Sequence, residues 1–144
     1  MKKIFGAVLI LGLSGCASTH VQKGVDVTKE SSFAVIKTET EKEHTLLTGL
    51  DQRVVIKSLN GEMLALPGNI SPAPDVLNVN KGVHTIEVQY RHKNTFANGC
   101  VWVDAKAGSS YLIRRKVVDY AVTFWVENTD TNEVVGGICG TEPE

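Results

Sequence analysis

The sequence predicts an all-β domain, an antiparallel β-sandwich or small barrel of about 7–8 short strands. Three observations predict it. Apolar residues recur with period two through the second half of the chain, turn-forming pairs separate the runs, and no long stretch repeats apolar residues at helical spacing. Size and composition agree, since 144 residues with 42% hydrophobic and 22% charged side chains fit one globular domain. A net charge of −1 argues against a nucleic-acid partner, because phosphate binding needs a clustered basic surplus.

The first element is an address. Met1-Lys2-Lys3 is a short basic start, and Ile4 to Leu13 is an apolar run interrupted only by Gly6 and Gly12. Such a run falls short of the roughly 20 residues a spanning helix needs, and has the length of a secretory signal core. Leu13-Ser14-Gly15-Cys16 then resembles the lipobox of bacterial lipoproteins. The resemblance implies thioether lipidation of the Cys16 sulfur, cleavage before Cys16 and acylation of the new amino terminus. Residues 1–15 are then a signal peptide, and the mature chain is anchored to a membrane without spanning it. Ala17-Ser18 puts no Asp beside the cysteine. By similarity to enterobacterial sorting rules, that implies an outer-membrane lipoprotein, facing the periplasm.

Residues 16–32 read as the lipidated cysteine and a flexible tether, because STHVQKGVDVTKESS is polar and carries no apolar stripe. Residues 33–144 form the β-sandwich domain. Phe33 to Ile36 opens a short strand. Glu39 to Leu50 is ambiguous, with Leu46, Leu47 and Leu50 at helical spacing behind a polar TETEKEH. Arg53 to Leu59, Asn60-Gly61 and Glu62 to Leu66 read as a hairpin, because both turn residues tolerate the positive φ of a type I′ connection. Pro67 to Asp75 holds three of the four prolines and reads as a loop. In Val83 to Tyr90, Ile86, Val88 and Tyr90 face one way while Thr85, Glu87 and Gln89 face the other. Runs at 100–103, 111–113, 121–126 and 133–135 complete the set, with turn chemistry at Asn98-Gly99, 107–109 and 128–132. Trp102, Phe124 and Trp125 lie within strands, so most of them are expected in the core; adjacent Phe124 and Trp125 must face opposite sides.

With Cys16 consumed by lipid, Cys100 and Cys139 remain as an even pair in an oxidising compartment, and a disulfide is expected. Two free buried cysteines or a metal pair are the alternatives. A domain of about 110 residues gains from such a staple.

The chain carries no recognisable catalytic constellation. It has no G-x-S-x-G elbow, no H-E-x-x-H and no phosphate loop, since Gly136 to Gly140 lacks the Lys and Ser/Thr. His20, His44, His84 and His92 lack the short spacing of a zinc site and read as surface or turn residues. No catalytic residue, metal or cofactor is expected. Two basic clusters are candidates for an anionic or partner contact: Arg91, His92 and Lys93, in a loop that also exposes Phe96, and Arg114, Arg115 and Lys116. Alternation sends Arg115 to the face opposite Arg114 and Lys116. The same clusters also suit solvated sheet edges that discourage aggregation.

Residues 54–61, Lys81 to Tyr90 and Ala105 to Ile113 together resemble a PEGA-like pattern, with Asn60 in place of the usual Asp and Lys81 in place of the usual Pro. Trp125 to Val135 is similar to the closing hairpin of small Gram-negative lipoproteins, mostly uncharacterised. These resemblances imply a lipid-anchored β-sandwich and carry over no catalytic residue. Ala107-Gly108-Ser109-Ser110-Tyr111 is similar to the S-G-x-x-Y motif of periplasmic C-type lysozyme inhibitors, although Ala107 stands where that family inserts its serine. The function expected is a non-catalytic, lipid-anchored interaction or envelope-assembly module, whose partner is an envelope protein or the cell wall. A lysozyme-inhibitor-type lipoprotein and a small ligand-binding barrel are the alternatives.

Overall fold

A computed structural model of the chain describes residues 18–41, 52–64 and 73–144. The expected signal segment, Cys16, the stretch holding Leu46, Leu47 and Leu50, and most of the expected proline loop lie outside the described residues. The strands are β1 (Thr19–Val21), β2 (Ala34–Thr38), β3 (Thr40–Glu41), β4 (Gln52–Leu59), β5 (Glu62–Met63), β6 (Val76–Val79), β7 (Gly82–His92), β8 (Thr95–Ala105), β9 (Ser110–Val118), β10 (Ala121–Asn128) and β11 (Val134–Gly136). They form two packed sheets, one ordered β1-β6-β2-β9-β10-β11 and the other β3-β4-β7-β8 with β5 on β4. The ladders are antiparallel except β1 on β6 and β2 on β9, which run parallel.

The all-β sandwich follows from alternation. Ile86, Val88 and Tyr90 of β7, Val101 and Val103 of β8, Tyr111 and Ile113 of β9, and Phe124 and Val126 of β10 all point inward and are buried. Ile36 of β2, Leu77 and Val79 of β6, and Val54 and Ile56 of β4 fill the remaining space. Alternation alone would turn Leu59 outward after Ile56. A bulge between Ile56 and Ser58 shifts the β4–β7 register by one residue, so that Leu59 rejoins the core opposite Ile86.

The expected hairpin at Asn60-Gly61 is present. Asn60 has φ 51° and Gly61 φ 82°, the conformation a type I′ turn requires, and Leu59 pairs with Glu62 across it. Asn98-Gly99, expected as a turn, lies instead in the middle of β8. Its glycine meets a packing demand: a Cβ there would run into the Phe124 ring from the opposite sheet. The strand β6 was not legible in the sequence, being four residues behind a proline-rich stretch, yet Leu77 and Val79 are fully buried.

Backbone hydrogen bonds pin two of the corners between the sheets. On one side the chain passes from β2 to β3 through Glu39, whose N–H donates to the Ile113 carbonyl at 3.0 Å. On the other side β11 pairs with β10 and then hands the chain to β8. The Trp102 N–H donates to Gly137 O at 2.8 Å, and the Cys139 N–H donates to Cys100 O at 3.1 Å. The expected disulfide closes this corner, with Cys100 and Cys139 5.4 Å apart at Cα. Gly136 permits the approach, since a Cβ there would strike the Trp102 carbonyl. Trp102, expected in the core, sits on the outer face and donates its indole N–H to Thr141 Oγ1 at 2.9 Å. Trp125 also faces outward, so of the three aromatics only Phe124 enters the core.

Residues 18–32, expected as a tether, lie on the domain in the structure. β1 pairs with β6 from Thr19 to Val21, and Ser18 O accepts the N–H groups of Asp75 and Val76 at 3.1 and 3.3 Å. A three-residue strand is too short to show a period in sequence, and β6 supplies the edge on which it forms. Further along, Asp26 Oδ1 accepts the Thr28 N–H at 3.0 Å and its hydroxyl at 2.6 Å. These bonds hold the Asp26 carboxyl below the usual carboxylate range.

Candidate functional site

The β7–β8 and β9–β10 hairpins turn at the same end of the sandwich. The 106–109 connection joins β8 to β9 at the opposite end, so residues 93–94 and 119–120 project together. Lys93 and Asp119 adopt left-handed backbone at φ 54° and 53°, which lets each turn close in two residues. Arg115 bridges the two sheets there: its guanidinium lies 5.1 Å over the Tyr90 ring.

The two basic clusters divide in three ways. Arg115 points inward and its side chain is only 5% exposed. Its Nη2 donates to Gln52 Oε1 at 3.2 Å, which also accepts the Tyr90 hydroxyl at 3.0 Å. Its backbone N–H donates to Glu39 Oε2 at 3.1 Å, and Nη1 stands 3.9 Å from the same oxygen. Arg115 is therefore a structural cation at the β2–β3 corner and leaves the candidate anion contact. Arg114 faces the outside of its sheet, yet carboxylates already hold it, Glu39 at 3.3 Å and Glu127 at 3.6 Å. Glu127 also accepts the Trp125 indole N–H at 2.8 Å. Glu39 thus serves both arginines from the corner where the chain changes sheets. Sequence reasoning passed over it because it sits in a polar run with no period.

Lys93 and Lys116 are exposed cations, one on each hairpin. Arg91 faces outward on β7, where its Nε donates to Gln89 Oε1 at 2.6 Å. Because Arg91 and Arg114 lie on outer faces of different sheets, the two clusters do not merge into one patch; they approach only at the hairpin end. His92 is half-buried, with its ring 6.5 Å from that of Tyr90.

Apolar side chains accompany these cations. Tyr120 is fully exposed at the β9–β10 turn, with Val117 and Val118 exposed beside it, and Phe96 is 67% exposed next to the β7–β8 turn. The expected exposed aromatic at Phe96 is thus present, on a strand end where a loop was expected. Tyr120 is the residue sequence reasoning missed; its position after Asp119, where the strand turns, was the available signal.

The opposite end is polar and braced. His84, expected at the surface or in a turn, is buried. One ring nitrogen meets Asn60 Nδ2 at 2.9 Å and the other Asn80 O at 2.7 Å, while Asn60 Oδ1 accepts the Thr85 N–H at 3.0 Å. Two open grooves flank this region, one of about 380 Å³ lined by His20, Gln22, Lys23 and Asn60, and one of about 340 Å³ lined by Phe33, Val35, Lys37 and Ser109. Lys106 Nζ bonds to Asp104 Oδ2 at 2.7 Å, which raises its pKa above the ordinary lysine value. In the 107–111 motif, Tyr111 is buried and its hydroxyl accepts the Lys106 N–H at 2.8 Å. Among the described residues, no group of three His, Cys, Asp or Glu side chains is placed to hold a metal ion.

No protein-family model, curated protein or solved structure matches the chain.

Proposed function

We propose that this chain is a non-catalytic, lipid-anchored envelope protein whose β-sandwich serves as an interaction or assembly module at the outer membrane, facing the periplasm. The observation that carries the reading is the Leu13-Ser14-Gly15-Cys16 segment, which follows a short basic start and an apolar run. A thiol in that setting is the acceptor of a diacylglyceryl group, and several acyl chains anchor far more firmly than one. The disulfide supports the same address, because such a bond persists in an oxidising compartment. The space between the sheets is filled by Ile36, Ile56, Leu77, Ile86 and Ile113, which favours a packed module over a ligand barrel.

The test is fractionation of cells that produce the full chain or its Cys16→Ser variant. The full chain is expected in the outer-membrane fraction with an acylated amino-terminal peptide, and the variant unacylated and outside that fraction. Crosslinking in the intact envelope is expected to recover a partner with the lipidated form. A full chain whose Cys16 carries no acyl group would overturn the anchor, and recovery of no protein or cell-wall fragment would overturn the module.

A further inference from the structure

The point at which the chain enters the domain is defined by its register. Ser18 lies beside Asp75, Asp75 beside Thr38, and Thr38 pairs with Ile113 of β9. β1 and β6 run from the hairpin end toward the opposite end, while β2 and β9 run toward the hairpins. The start of β1 beside Ser18 therefore faces the hairpin turns, level with Ile113. From Ile113 to Val118, β9 rises about 17 Å at roughly 3.3 Å per residue. Ala17 and Cys16 together reach at most about 7 Å from Ser18. With its strands upright on a surface that holds Cys16, the β9–β10 turn projects about 10 Å beyond the anchor point.

From this geometry we infer that the two hairpin turns form a second membrane contact, dipping into the anionic headgroup layer of the leaflet that anchors Cys16. The inference rests on the lipid-anchored reading and adds an orientation to it. The side chains at this end have the chemistry of the bilayer interface. Tyr120 and Phe96 are exposed aromatics, Val117 and Val118 are exposed aliphatics, and Lys93 and Lys116 supply positive charge beside them. An overhang of about 10 Å matches the depth at which amphipathic elements bury in the headgroup and acyl boundary. The anchor and the contact act together, because a single residue separates Cys16 from Ser18 along the chain.

The experiment uses the full lipidated chain, reconstituted into vesicles of phosphatidylethanolamine and phosphatidylglycerol that carry lipids brominated near the glycerol end of the acyl chain. Tyr120→Trp and Phe96→Trp are the probes, each compared with the unmodified chain, whose own tryptophans lie on sheet faces away from the turns. Both positions are exposed, and unchanged thermal unfolding with no alkylatable thiol verifies the fold. The expected result is blue-shifted added emission for each variant, quenched at least twofold by the brominated lipid and shielded from aqueous acrylamide. Solvent-like emission open to acrylamide would overturn the inference while leaving the anchor intact, provided mass analysis finds Cys16 acylated. Shielding without lipid quenching would also overturn it, and would assign the turns to a second copy or a protein partner. An unmodified Cys16 would remove the anchor itself, which is a separate failure.

Discussion

Asn60-Gly61 and Asn98-Gly99 are the same dipeptide between apolar runs, and the fold uses them in opposite ways. At 60–61 both residues adopt positive φ and the chain reverses. At 98–99 the chain runs straight through β8, and the glycine is needed because the Phe124 ring occupies the space of its missing side chain. One glycine serves the backbone and the other serves the core. The first reading depends on local dihedrals, and the second on a residue 25 positions away in the other sheet.

Four measurements sharpen the contrast. Phe124→Ala should cost about 3–5 kcal/mol in denaturant unfolding, since it empties a buried site that spans both sheets. Next to Gly99, the Cys100–Cys139 bond closes a loop of separation 39. Its removal in a Cys100→Ser, Cys139→Ser chain should cost roughly 3–4 kcal/mol on the chain-entropy account, read as a fall in midpoint that reductant reproduces in the parent chain. Gly99→Ala should destabilise by about 1–3 kcal/mol through overpacking, and a Phe124→Leu background should recover part of that loss. Additive costs in that cycle would mean that the ring does not explain the glycine. Gly61→Ala should lose only about 1–2 kcal/mol, the cost of a left-handed residue with a Cβ, and no change at Phe124 should rescue it.

The basic triplet shows the same division on a charged segment. Alternation correctly sends Arg115 away from Arg114 and Lys116, and that much is local geometry. That Arg115 is buried over Tyr90, bonded to Gln52 and beside Glu39, depends on β3 and β4 arriving from the second sheet. A basic run in sequence therefore dissolves into one structural cation, one paired cation and one exposed lysine. The expected tether changes in a similar way. Thr19, His20 and Val21 have no pattern of their own, and they become a strand because β6 presents an open edge.

By itself the sequence determined the all-β class, the hairpin at Asn60-Gly61, the alternation of faces along β7 and across Arg114, Arg115 and Lys116, and the expected pairing of Cys100 with Cys139. These follow from period-two burial, from the dihedrals that asparagine and glycine tolerate, and from cysteine arithmetic, all of which act over a few residues or on composition. Only the tertiary structure decided the bulge that returns Leu59 to the core, the packing role of Gly99 and the corner that Glu39 holds. It also decided that the start of β1 faces the hairpin turns. Each of these depends on which strands lie side by side, and that pairing is chosen by the burial of the whole core, which no short window of residues contains.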